Sequence, residues 1–294
     1  MTPNFPHLAT RLFNAPLAIT PGKIEVIMAA IADRFGVAKI FRMDGAALPM
    51  RAFDQEDESY SRAATDRDRG YDVAAGVAII QVTGTLVQKL GALRPYSGMT
   101  GYDGIRAAFS MAMADDEVRA ICLDIDSPGG EVAGCFDLAD MIYRARGRKP
   151  IWAILSENAY SAAYAIASAA DWITVPRTGG TGSVGVVAVH VSMADALGDA
   201  GLEVTVLRSD ALKYEGNEFE KLSADAQGRM MADIMKARDI FVSMVARNRG
   251  LTPAAVEKTQ AGTFLGADGV KAGFADAVMA PDEAFSALVS SLGQ

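Results

Sequence analysis

Three segments of the chain hold the residue types that nucleophilic catalysis needs. In ENAYSAAY, residues 157–164, Ser161 opens a run of small residues, AAYAIASAA, with a helical pattern. A serine hydroxyl at a helix N-terminus feels the positive end of the macrodipole, which favours a developing alkoxide or acyl-enzyme oxyanion. A serine that only caps the helix has the same sequence signature. In DSPGG, residues 126–130, Gly129 and Gly130 stand between the apolar run AICLDI and a helical pattern starting near Glu131. Glycines there leave bare N–H groups that can point at an anion, as an oxyanion hole requires; the plainer reading is a Pro-Gly turn. The third is Lys213, in SDALKYEGNEFEKLS. Most lysines are solvated, but one kept neutral by burial is the alternative general base for a serine nucleophile without histidine.

Histidine is nearly absent. His7 lies in a proline-rich stretch and His190 within the apolar run VVAVHV, where a hydrogen-bonded core histidine is the simplest reading. A histidine triad or a multi-histidine metal site has almost nothing to draw on, and Asp124 and Asp126 flank a strand end without histidine support, so no metal is expected. The run GGTGSVG, residues 179–185, contains G-x-G-x-x-G, but a strand-like run follows it where dinucleotide binding needs a helix. No cofactor is implied. Ser183, short and polar among those glycines, is a candidate hydrogen-bond donor to a site; the alternative is a tight turn between strands. Neither G-x-S-x-G nor S-x-x-K occurs, which removes two other classes of serine enzyme.

The elements that must position these residues alternate between short β-rich runs and helical ones. Strands are expected at Val77–Val82, Val118–Ile125, Ile151–Leu155, Trp172–Val175, Val186–Val191 and Val204–Leu207. Helices are expected near Tyr102–Ala114, Glu131–Arg146 and Ala162–Ala170, the pattern of an α/β domain with a largely parallel sheet. A long helix follows from Ser223 as N-cap to about Asn248, then another capped by Thr252 with Pro253 in its first turn. Residues 22–35 place Ile24, Ile27, Met28, Ile31 and Phe35 at helical spacing. RAFDQEDESYSRAATDRDRG, residues 51–70, has ten charged residues in twenty and no apolar period, so it reads as a linker. The division expected is a small helical N-terminal module over 1–50, the linker 51–70 and a main domain over 71–294.

Composition narrows the class further. The 294 residues are 50% hydrophobic and 22% charged, a globular balance, with 28 basic against 36 acidic side chains and a formal charge of −8. That excess argues against nucleic acid or an anionic membrane surface as the main partner. No run of about 18 apolar residues is present, so no membrane insertion is expected and the chain reads as soluble and cytoplasmic. Cys122 and Cys135 fit no zinc or redox spacing and read as small buried hydrophobes.

Taken in order, the strand GVAIIQVTGTL, the DSPGG turn, YSAAYAIASAAD, TGSVGV, the Lys213 segment and the closing TFLGADGVKAGFAD resemble the signal-peptide-peptidase-A family of serine peptidases, within the ClpP/crotonase superfamily. The resemblance runs from about Val77 to Val278. It implies a ClpP/crotonase-like fold of repeated β-β-α units, with Ser161 as nucleophile, Lys213 as general base and Ser183 hydrogen-bonding the lysine amine. Gly129 and Gly130 match the oxyanion-hole turn. The segment FNAPLAITPGKIEVIMAAIADRFG and the text around Lys213 are similar to the phage head-maturation branch, with Leu212 and Glu218 departing from its pattern. That branch implies scaffold, portal or other capsid proteins as substrates, a homo-oligomer, and a place in the host cytoplasm or inside a procapsid. A peptidase degrading signal peptides or other peptides, a crotonase-like acyl-CoA enzyme and a non-catalytic capsid component are the alternatives.

Overall fold

The computed structural model describes residues 15–24 and 69–293. In chain order its elements are β1 (Leu17–Ile19), β2 (Asp72–Ala74), β3 (Val77–Thr83), β4 (Thr85–Val87), β5 (Met99–Gly101), α1 (Tyr102–Ala114), β6 (Ala120–Ser127), β7 (Gly129–Glu131), α2 (Cys135–Arg144), β8 (Ile151–Tyr160) and α3 (Ala162–Ser168). They continue with β9 (Trp172–Val175), β10 (Gly180–Gly182), α4 (Ala194–Asp199), α5 (Ala224–Arg249), α6 (Pro253–Glu257), β11 (Thr263–Leu265), α7 (Gly266–Lys271), β12 (Ala277–Val278) and α8 (Pro281–Ser291). The fold is mixed α/β. Residues 21–24 form a helical turn; the rest of the expected helix to residue 35, and all but the last two residues of the expected linker, lie outside the described residues.

The main sheet is built on three parallel neighbours, β3, β6 and β8. β8 then forks. Its first half pairs in parallel with β9, through Trp152–Ile154, and its last three residues pair in parallel with β10, through Asn158–Tyr160. β2 and β11 add antiparallel edges, and β12 pairs with β9. Near-continuous apolar runs such as AICLDI suit central strands of a sheet covered on both faces. The alternation along them divides the core in two. Ala78, Ile80, Val82, Ile121, Leu123 and Ile125 join the cluster that contains residues of α1, α2, α3 and α5. Val77, Ala120, Cys122 and Ile154 face the other way and pack with Ala284 and Leu288 of α8. A second, smaller sheet has the order β1-β7-β4-β5.

Several expectations shift for identifiable reasons. The helix expected from Glu131 begins only at Cys135, because Gly129–Glu131 is drawn into the second sheet as β7. Val186–Val191 and Val204–Leu207 are not strands. Val187 and Val189 lie only in isolated bridges, that of Val187 to Leu17, and residues 202–208 have no ladder partner among the described residues. An apolar run becomes a ladder strand only where a neighbouring strand completes its backbone hydrogen bonds along its length. The Ser223 and Thr252 caps form as expected, accepting from Ala226 N–H at 3.1 Å and Ala255 N–H at 3.2 Å. Cys122 and Cys135 are both buried and free, and burial pushes the Cys135 thiol up to about 12.

α3 is buried on every side, as its AAYAIAS sequence permits, and its C-terminal end is closed by Arg146. That guanidinium donates to Ala169 O at 2.9 Å, to Ser168 O at 2.9 Å and to Ala170 O. Asn248 Nδ2 donates to Ser168 Oγ at 3.0 Å from α5. A cation at a helix C-terminus satisfies carbonyls that have no intrahelical donor. Arg146→Ala is expected to lower the unfolding free energy by about 3 kcal/mol, with Arg146→Lys intermediate because it lacks the planar fork; urea denaturation of the full chain measures both.

Candidate active site

The site forms where three parallel strands end together. β8 delivers Tyr160, and the chain turns at once into α3, so Ser161 stands between strand and helix. The turn gives Ser161 φ 55° and ψ −118°, a backbone that non-glycine residues seldom adopt. Strain of this kind needs fixed partners. Ser161 N–H donates to Gly182 O at 2.8 Å, and Ser161 O accepts from Ala165 N–H at 2.9 Å. The residue is 1% exposed, and its Oγ makes no hydrogen bond among the described residues. The helix is only two turns long, so its macrodipole adds little beyond the N–H groups of its first turn.

β10 is registered so that Gly182 lies opposite Tyr160, which puts Ser183 beside Ser161 as the next residue on each strand. Ser183 is also at positive φ, 56°, and its N–H donates to Gly262 O at 2.9 Å. On the other side β6 ends at Ser127, opposite Ala159. Ser127 Oγ donates to Gly84 O at 2.6 Å and accepts from Gly129 N–H at 3.2 Å, pinning the turn into β7.

Both glycines of that turn are required, for different reasons. Gly129 has φ 104°, and a Cβ on it would stand 2.2 Å from Ala18 O and 3.0 Å from Ser161 Cβ. Gly130 has an ordinary φ, but its Cβ would be 1.9 Å from Leu86 O of β4. Close backbone approach therefore excludes any side chain at either position. Tyr102 supports the far end of β7 by donating its hydroxyl to Glu131 O at 2.6 Å. The Tyr160 phenol lies against Gly180, and burial, with the Glu157 carboxylate nearby, raises its pKa above the ordinary value.

Four of the five expected site residues are thus brought together: Ser161, Gly129, Gly130 and Ser183. Lys213 is not joined to them. It stands exposed in a turn over residues 209–216, its N–H donating to Asp210 O at 3.0 Å, and its ammonium has no hydrogen bond or ion pair among the described residues. The turn is held by other pairs, Glu215 with Arg229 and Glu220 with Arg208. His190 is half-buried in extended chain outside any strand. Asp124 accepts from Ser156 Oγ and Asp126 from Asn158 N–H at 3.2 Å, so both serve the β6–β8 seam. Among the described residues no group of three His, Cys, Asp or Glu side chains converges as a metal site, and no helix is long and apolar enough to cross a membrane.

Two participants in this geometry were not anticipated. Ser127 belongs to the DSPGG turn, yet only the fold shows its hydroxyl holding Gly129. Leu17–Ile19, a three-residue apolar run between Pro16 and Pro21, pairs with β7 beside Ser161. The two prolines were its one local signal. A cavity of about 650 Å³ opens next to it, lined by Ile19, Ile24, Ser183, Val184, Val186 and Val256 among others.

Residues 144–293 match the family model of peptidase family S49. The chain is 42% identical over 299 residues to the head-tail preconnector protein GP5 of Enterobacteria phage P21, covering 99% of this chain and 58% of that protein. It is 36% identical over 296 residues to the capsid assembly protease C of Escherichia phage lambda, covering 98% of this chain and 66% of that one. The chain therefore spans less than two thirds of the length of these two relatives. Protease 4 of Haemophilus influenzae is 25% identical over 236 residues, which is 78% of this chain and 37% of that enzyme. A family model covering half of the chain, over the stretch that carries Ser161, Ser183 and Lys213, leaves one assignment: the chain belongs to peptidase family S49.

Proposed function

We propose that the chain is a serine endopeptidase with a Ser161–Lys213 dyad, cutting scaffold, portal or other capsid proteins during phage head maturation. The observation that carries the reading is the meeting of Ser161, Gly129 and Ser183 at the carboxyl ends of adjacent parallel strands, where α/β folds bind ligands. Membership of a peptidase family and the names of the two phage relatives support the substrate class. The two-faced core is compatible with a ClpP/crotonase-like domain over 71–294, with an N-terminal module and linker before it.

In this reading neutral Lys213 takes the Ser161 Oγ proton as Oγ attacks the peptide carbonyl carbon. The carbonyl oxygen becomes an oxyanion held by N–H groups of the Gly129-Gly130 turn. The C–N bond then breaks as the lysine ammonium returns its proton to the leaving amine. Water gives a proton to Lys213 and attacks the acyl carbon; the ester C–Oγ bond then breaks as the lysine ammonium returns that proton to Ser161 Oγ, and the acid product ionises to solvent. No cofactor takes part. Ser183 holds the lysine amine in line with Ser161. Because Lys213 stands on an exposed turn, the reading requires that turn to be covered against Ser161, by substrate or by a second copy of the chain in a homo-oligomer. The setting is the host cytoplasm and the interior of the procapsid.

Coexpression with phage head proteins, read by mass spectrometry of the products, tests this directly. Cleavage is expected with the wild type and is expected to fall about 10³-fold with Ser161→Ala or Lys213→Ala, and less with Ser183→Ala; products unchanged in Ser161→Ala would overturn the assignment. Gly129→Ala is expected to lower kcat by about 10²-fold or more, since the new methyl moves the turn away from the reacting oxygen. Steady-state kinetics on the folded variant measures it.

A further inference from the structure

The edge of β7 next to Ser161 is already filled by the chain itself. Leu17, Ala18 and Ile19 run antiparallel to Glu131, Gly130 and Gly129. The opposite edge of the same segment meets Val187: Leu17 N–H donates to Val187 O at 2.7 Å and Val187 N–H donates back to Leu17 O at 2.8 Å. Thr20 N–H donates to Pro128 O at 3.1 Å, and Val132 N–H to Pro16 O at 3.3 Å. The alternation of an antiparallel ladder then makes Ala18 and Gly130 a hydrogen-bonded pair. Leu17, Ala18 and Ile19 are all buried, Ala18 with 0% exposed.

This is how a peptide is bound by strand addition: main-chain hydrogen bonds hold an extended segment and its side chains enter adjoining pockets. The carbonyl of Ala18 and the Cβ of Ser161 crowd the same point above Gly129, 2.2 Å and 3.0 Å from where its Cβ would be. The turn that would receive a reacting carbonyl faces a carbonyl from its own chain. Ile19 lines the cavity beside Ser183, as an apolar substrate side chain would.

We propose that β1 is a resident peptide in the substrate cleft: Leu17-Ala18-Ile19 holds the place of an extended substrate between Gly129–Glu131 and Val187, and a substrate must displace it to reach Ser161. This rests on the reading of Ser161 as nucleophile. The resident segment also sets the terms for its competitor. A substrate runs antiparallel to β7, with apolar side chains at the positions of Leu17 and Ile19. The residue opposite Gly130 is small, because Ala18 has no free surface around it.

The test uses the full chain and a fluorophosphonate probe, with Ser161 modification followed by mass spectrometry. Leu17→Pro removes the Leu17 donor, and Ala18→Arg cannot fit the slot. Both are expected to label about tenfold faster than the wild type or more, because displacement no longer limits access. A fluorescent synthetic peptide of residues 15–22, APLAITPG, is expected to bind the Leu17→Pro chain by anisotropy, to slow its labelling, and to bind equally when Ser161→Ala is added. Where the wild type labels at Ser161, folded variants that label no faster would overturn the proposal, and so would the absence of peptide binding in either case. Should Leu17→Pro and Ala18→Arg fail to fold, the milder Ala18→Gly is used, and failure of the peptide to slow its labelling is the overturning result. Peptide binding to a folded chain whose Ser161 is never labelled upholds the resident strand and rejects the peptidase reading.

Discussion

The hydrogen bond from Ser161 N–H to Gly182 O, 2.8 Å long, ties together everything the site uses. It closes the seam between β8 and β10 at the residue where β8 stops being a strand, so the strained turn into α3 is held from the side as well as from below. Because the two strands are parallel and in register there, Ser183 arrives beside Ser161 without any contact between their side chains being needed. β6 does the same on the other flank, bringing the DSPGG turn against Ser161 through the Ser127 hydroxyl. A backbone this constrained keeps its geometry before substrate arrives, which electrostatic stabilisation of an oxyanion demands.

The surrounding packing serves that constraint. Small residues are used wherever backbones converge: Gly129 and Gly130 against Ala18, Ser161 and Leu86, Gly180 against Tyr160, and the alanines of α3 against the sheet. Larger groups would hold the strands apart. At the far end of α3, Arg146 satisfies the carbonyl end of the helix, and Asn248 ties it to α5 by donating to the Ser168 hydroxyl. The serine is thus fixed by its strand on one side and by the anchored helix on the other.

The region of Lys213 follows a different rule. Residues 202–214 expose Leu202, Val204, Leu207, Leu212 and Tyr214, with Leu207 92% exposed, and the turn is held by surface ion pairs, with no ion pair of Lys213 among the described residues. Surface pairs of this type stabilise weakly. The proposed base therefore sits on the least anchored part of the catalytic apparatus, and the proposed nucleophile on the most anchored part.

Much of this was legible in the residue order. Strands β3, β6 and β9, helix α1 and the capped helices α5 and α6 were readable because apolar period, capping residues and glycine placement are local properties. Ser161, Ser183, Gly129 and Gly130 were legible as candidates from residue type and position, each beside a plainer reading as cap or turn, and their order along the chain carried the family resemblance. Other features depend on contacts between residues far apart. Val186–Val191 has strand composition but gains only isolated bridges, and Val204–Leu207 has no ladder partner among the described residues, while Glu131 left its expected helix because the Gly129–Glu131 segment pairs with β4 and β1. The pairing of Leu17–Ile19 with the cleft was invisible for the same reason: three apolar residues between prolines specify an extended segment and do not specify its partner. What the sequence determined by itself is the chemistry on offer, a serine, a glycine turn and a lysine in place of histidine. Which of these meet was decided by strand register in the tertiary structure, because register is set by hydrogen bonds between segments that no local pattern encodes.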